Sequence, residues 1–177
     1  MALDETSRET IDAFREYIEG AVAGDERYGD LVRADREDES TLASRFRVGA
    51  CWLELAVRPF VPQVRVGVLT DDRWKSEEIE QGIQDSGDTM EEFVELGFSE
   101  AGLDWSEPIV EHYREGGKYF YFATPLDIEE IPDLAWEEPR NKVLRMLEGY
   151  LVAFGPFLEG DEEDTAEEDE DDEEDEG

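Results

Sequence analysis

The apolar positions of the chain repeat with two periods, and the switches between them divide it into elements. From Ser7 to Ala23 the spacing is helical. Ile11, Phe14, Ile18, Ala21 and Val22 recur on one stripe, and Tyr17 widens it. The run "TSRE" (Thr6–Glu9) has the form of a capping box, with the threonine hydroxyl accepting from the backbone N–H of Glu9 and the glutamate reaching back. Gly24 fits the position past the helix end, where a left-handed conformation is cheap.

A charged connection through "RADREDES" follows, with a short strand predicted near Asp30–Arg33. The period then drops to two. Leu42–Val48 is half polar, Cys51–Val57 puts Cys51, Leu53, Leu55 and Val57 on one side, and Val64–Leu69 does the same with Val64, Val66 and Val68. The prolines of "RPFVP" suit a loop and not a ladder. The three runs predict an antiparallel meander with one buried face.

Helical spacing returns at Ser76, the expected N-cap of "SEEIEQGIQ", with Ile79 and Ile83 inward. "SGD" (Ser86–Asp88) breaks that helix. Asp88 is placed to cap a second one over Thr89–Ala101, with Met90, Phe93, Val94 and Phe98 inward. "IVEHYR" and "KYFYFAT" then read as the strands of a hairpin. A two-residue Gly116–Gly117 turn would set Glu115 opposite Lys118, Tyr113 opposite Phe120 and His112 opposite Tyr121. "PLDIEEIPDLAWEE" is a linking segment. The last helix is expected to open at Pro139, whose missing N–H costs nothing in a first turn. Val143, Leu147, Tyr150, Leu151, Phe154 and Leu158 form its stripe, and Gly155 and Pro156 are expected to fray its end.

The resulting order, α-βββ-α-ββ-α, predicts one α+β domain over residues 1–160, with helices packed on one face of an antiparallel sheet. Residues 161–177 are expected to form a disordered acidic tail. They carry 14 acids and no base, and removing them from the total of 51 acids and 16 bases leaves residues 1–160 at a net charge of −21. The acidity is therefore a property of the folded part too. Such a charge disfavours a phosphate backbone or an anionic membrane as partner and attracts basic ones. Arginine outnumbers lysine 13 to 3. Low lysine on an acidic surface points to a salt-adapted, halophilic cytoplasm, and a high-GC genome explains the arginine equally well.

The single cysteine, Cys51, allows no intrachain disulfide, which fits a reducing compartment. "MALDETSRET" has no basic region leading into an apolar stretch, and no run of about 18 apolar residues occurs. A cytoplasmic location without membrane contact is the expectation.

Candidate chemistry is sparse. His112, the sole histidine, is the obvious acid–base group, but on a hairpin beside Glu111 and Tyr113 it reads better as a cross-strand residue. No G-x-S-x-G context supports a nucleophile, and one histidine with one cysteine cannot build a familiar zinc site. "GGK" lacks the phosphate-loop spacing, and Tyr119 stands where Ser or Thr would bind magnesium. The acidic run has no glycine at the sixth position of a calcium loop. Paired carboxylates such as Glu54 with Glu111 are expected by chance among 51 acids. The four tryptophans, Trp52, Trp74, Trp105 and Trp136, are expected mostly in the core or at its rim, with one or two in a binding groove. No residue is assigned a catalytic, cofactor-binding or metal-ligating role, and no cofactor is expected.

The meander "CWLELAVRPFVPQVRVGVL", the hairpin "HYREGGKYFYFATPL" and the helix "NKVLRMLEGYLVAFGPFL" together resemble the type III secretion chaperone-like fold, including the YbjN-type domain. The likeness spans residues 6–158 and is one of shape. It implies a non-enzymatic protein-binding role, often as a homodimer, with an extended client segment held along the surface. The acidity supports another expectation, an immunity or inhibitor protein that plugs a basic toxin or nuclease.

Overall fold

In the computed structural model, which describes residues 2–115 and 119–159, the chain is an α+β domain. Helix α1 (Glu5–Val22) leads into strands β1 (Leu31–Arg33), β2 (Leu42–Val48), β3 (Cys51–Arg58) and β4 (Gln63–Thr70). Helices α2 (Arg73–Ser86) and α3 (Met90–Glu100), strands β5 (Glu111–Glu115) and β6 (Tyr119–Asp127), a 3₁₀ turn (Ile131–Ala135) and helix α4 (Glu137–Glu159) complete it. The six strands form one antiparallel sheet in the order β1-β2-β3-β4-β6-β5.

The alternation seen along the strands decides which face is covered. Leu53, Leu55 and Val57 of β3, Val64, Val66 and Val68 of β4, and Phe122 of β6 pack with the stripes of the helices in one apolar cluster. Ile11, Phe14 and Ile18 come from α1, Ile79 and Ile83 from α2, Val94 and Phe98 from α3, and the whole predicted stripe of α4 is buried. Burying a large apolar side chain contributes roughly 1.5–3 kcal/mol relative to leaving it exposed, so this cluster dominates the stability of the domain. Close approach of α3 and α4 depends on two glycines. A Cβ at Gly97 would lie 2.4 Å from the Gly149 carbonyl oxygen, and one at Gly149 would lie 2.4 Å from the Phe98 ring.

Several boundaries differ from the sequence expectation. Helix α1 begins earlier because Asp4 is the cap: its Oδ1 accepts from the Ser7 N–H at 2.7 Å, and Thr6 lies inside the first turn. At the other end Ala23 stays right-handed, and Gly24 does not adopt the expected positive φ. Helix α2 starts at Arg73 because Asp72 accepts from the Trp74 N–H at 2.9 Å, which leaves Ser76 in the helix interior. Helix α3 is capped by Thr89 and not by Asp88, with a full capping box to Glu92. At α1 and α3 the two competent caps stand within two residues of each other; at α2 they are four residues, about one turn, apart.

Helix α4 opens two residues before Pro139 and does not fray at Gly155 and Pro156; it runs on to Glu159. Tertiary contacts hold its last turn. The Lys75 ammonium donates to the Phe157 carbonyl at 2.6 Å, an otherwise orphan acceptor at a helix C-terminus. Leu158 is buried, and Phe157 packs over Gly82.

The hairpin register also differs. Tyr113 pairs with Tyr121, His112 with Phe122 and Glu115 with Tyr119, so three residues separate the strands and not two. That slip of one moves every side chain of β5 relative to its expected partner. The Gly116–Gly117 turn and Lys118 lie outside the described residues, as does the acidic tail.

Candidate functional site

Among the described residues, no helix packs on the second face of the sheet. Its side chains are those that alternate with the apolar set, and the register brings them into cross-strand rows. One row runs Arg45, Glu54, Gly67, Ala123, Glu111 across β2, β3, β4, β6 and β5. The next runs Arg47, Trp52, Leu69, Tyr121, Tyr113. Gly67 and Ala123 are small where the strands come closest: a Cβ on Gly67 would lie 2.1 Å from the Phe122 carbonyl oxygen.

Over this floor the larger side chains lie flat. Tyr121 on β6 and Arg45 on β2 meet across two intervening strands, with Arg45 Nη2 donating to the Tyr121 hydroxyl at 3.0 Å. Tyr113 stacks on Tyr121 with centroids 4.9 Å apart and rings nearly parallel. The Arg65 guanidinium sits 5.1 Å from the Tyr113 ring and 5.6 Å from that of Tyr121. Arg45 lies over Tyr119, Arg47 lies over Trp52, and Trp52 meets Tyr119 edge to face. The result is an arginine–aromatic layer that buries Leu69 and Tyr121 without any help from a helix.

The layer encloses a charge. Glu54 is 4% exposed, and its Oε2 accepts from Arg45 Nε at 2.8 Å. Burial pushes its carboxyl above the usual carboxylate range, and the nearby Arg45 and Arg65 guanidinium groups pull it back only in part. Desolvation likewise raises the phenols of Tyr113 and Tyr121, so both stay neutral donors. Two polar atoms in the layer, Arg65 Nε and the Tyr113 hydroxyl oxygen, are buried and have no hydrogen-bond partner among the described residues. Each such orphan costs about 1–3 kcal/mol.

A second feature lies where β6 hands over to α4. A cleft of about 270 Å³ is lined by Leu126, Ile128, Pro139 and Trp136 on its apolar side, and by Asp127, Glu129, Asp133, Glu138 and Lys142. Trp136 is 60% exposed. Asp127 accepts from the Gln63 side-chain amide, and Lys142 points its ammonium at the Trp105 ring, 4.2 Å from the centroid.

The residues singled out in the sequence are distributed otherwise. His112 lies on the helix-covered side, stacked on Phe122 at 4.0 Å, with Nδ1 at 2.9 Å from the Tyr121 carbonyl oxygen and Nε2 at 3.4 Å from Glu80. Glu54 and Glu111 share a row but are three strand spacings apart, roughly 14 Å, too far to act as a dyad. Cys51 is core. No tryptophan is fully buried: Trp74 and Trp136 are exposed, Trp52 belongs to the arginine–aromatic layer, and Trp105 packs against Phe98. Among the described residues, no three His, Cys, Asp or Glu side chains gather closely enough to hold a metal ion, and no helix is long and apolar enough to cross a membrane.

Sequence reasoning passed over Arg45, Arg47, Arg65 and Asp133. The first three carried a signal, since "SRFRV" and "VRVG" place arginine at alternate positions opposite the apolar set. Asp133 carried none, because nothing in "DIEEIPDLAWEE" tells one acid from the next. No family model matches the chain, and neither a curated protein nor a solved structure is significantly similar to it.

Proposed function

We propose that this chain is a protein-binding module, chaperone-like in action, whose helix-free sheet face holds an extended segment of a partner protein. One observation carries the reading: the face is paved with arginine, tyrosine and tryptophan and leaves Arg65 Nε and the Tyr113 hydroxyl buried without partners among the described residues. Those three residue types supply most interface hot spots, because each brings a large contact area and a polar handle. A guest strand has carbonyl oxygens for Arg65 and for the tyrosine hydroxyl. It also brings apolar side chains to stack on the rings. Binding of this kind needs no reacting group, and the module acts by holding, not by chemistry.

The test uses the full chain as bait at low and high salt, beside Arg65→Met and Tyr113→Ala baits and a Leu96→Ala control on the exposed side of α3. The expected result is a protein that the parent and the control retain and that both sheet-face variants lose. Light scattering on the same baits reports whether a second copy of the chain is the occupant. Retention that ignores both sheet-face substitutions, or no protein retained at any salt, sinks the proposal.

A second reading, an inhibitor meeting a basic partner, draws on the acid-lined cleft. Steep loss of the complex with salt would favour it over client holding.

A further inference from the structure

The cleft between β6 and α4 has four carboxylates against one ammonium, and that ammonium is engaged with Trp105. Three of the carboxylates, Asp127, Glu129 and Glu138, are exposed, and Asp127 also accepts from Gln63. Asp133 differs. It is only 8% exposed, it lines the cleft, and its carboxylate takes no hydrogen bond or ion pair from any described residue. Its oxygens are not sealed from solvent and line the cleft, so a cation entering there meets an acceptor that no described side chain occupies.

We propose that the cleft receives a lysine or arginine side chain of the partner's bound segment, with the charged head at Asp133 and the aliphatic stem along Trp136, Ile128 and Pro139. This rests on the protein-binding reading given above. Long cationic side chains divide themselves in that way, with an apolar stem and a polar tip. The exposed Trp136 ring adds attraction for the cation. A bare metal ion suits the cleft less well, because the carboxylates are spread along its walls and do not converge. An apolar side chain would seal Asp133 from water with its charge unmet. Asp127 pairs with Gln63 in the register of the open face and also lines the cleft, so a segment crossing the sheet runs directly to it.

The probe is acetyl-Gly-Arg-Gly-amide, with the lysine peptide and acetyl-Gly-Gly-Gly-amide beside it, titrated into the full chain. The readout is the set of tryptophan indole signals in a nitrogen–proton spectrum. The expected result is a saturable shift of the Trp136 indole with both cationic peptides, little movement of Trp52 and Trp74, and none with the neutral peptide. Asp133→Asn should weaken binding about tenfold or more. Glu91→Gln removes the same charge in the first turn of α3, outside the lining of the cleft, and should weaken it less than about twofold. Trp136→Ala, at an exposed position that leaves the core intact, should weaken binding by calorimetry. No saturable shift, or equal weakening by Asp133→Asn and Glu91→Gln, overturns the cleft and shows general attraction to an acidic surface. A chain that captures a protein on its sheet face while the Trp136 indole stays unmoved overturns the cleft alone and leaves the capture face standing.

Discussion

Arg36 and Glu115 belong to opposite margins of the sheet, and their side chains meet. Arg36 follows β1, the first strand of the order, Glu115 ends β5, the last, and Nη2 lies 3.0 Å from Oε1. Flat strands at this separation would stand about 24 Å apart. The twist of the sheet therefore lifts two diagonal corners toward each other over the helix-free face, and the ion pair spans the concavity. Both partners are partly exposed, so the pair itself contributes under about 1 kcal/mol. Arg36→Ala should barely move the melting temperature and should speed amide exchange in β5. Unchanged exchange in β5 would mean that the corner is held by the ladder alone.

Glu54 offers a test with a sign. Its folded pKa lies above the unfolded value near 4.5, so the fold holds its proton more tightly than the open chain does. The contribution of that proton to stability is fully present below the unfolded pKa and is lost as pH rises toward the raised one. Glu54→Gln cannot titrate. Its stability relative to the parent should therefore improve as the pH of denaturant titrations is raised from about 4 to 7. Glu54→Ala leaves Arg45 buried without its partner and should cost about 3–5 kcal/mol.

Two glycines separate helix propensity from packing. Gly20 in α1 has open space where a Cβ would go, so Gly20→Ala should stabilise by roughly 0.5–1 kcal/mol. Gly97 gains the same propensity, yet its Cβ would lie 2.4 Å from the Gly149 carbonyl. Overpacking of about 1–3 kcal/mol outweighs that gain, and Gly97→Ala should lower the thermal midpoint.

A net charge of −35 sets the salt response. Raising ionic strength from about 0.01 M to 1 M shortens the screening length from roughly 30 Å to 3 Å. Self-repulsion then falls, and the melting temperature should climb across that range. A flat or falling profile would show that local ion pairs, such as Arg27 with Asp25 and Glu148, outweigh it.

His112→Gln should leave both the fold and partner capture intact, with stability changed by under about 1 kcal/mol through the lost contact to Glu80. Loss of capture in a folded variant would give the imidazole a role that its stacking on Phe122 does not require.

The α+β class, all six strands and the buried stripes of the helices were legible in the sequence, because a period of two or 3.6 is a local property of the chain. So were the caps of α1 and α3 within two residues, while at α2 the expected Ser76 stands four residues past the actual cap, Asp72. The residue that caps was not, since Asp4 and Thr6, or Asp88 and Thr89, are near equivalents until the stripe is packed. Pro156 reads as a helix end, and tertiary contacts keep that turn wound: Lys75 reaches the Phe157 carbonyl, Leu158 is buried and Phe157 packs over Gly82. The pairing of Tyr113 with Tyr121 depends on a register that local pattern leaves free by one residue. The arginine–aromatic face joins residues 45, 54, 65, 113 and 121, and Asp133 is one acid among 51 until the 3₁₀ turn buries it. Periodicity states which side of an element turns inward; which distant side chains then share a surface, and which carboxylate comes to line a cleft, is decided only when the strands are laid side by side.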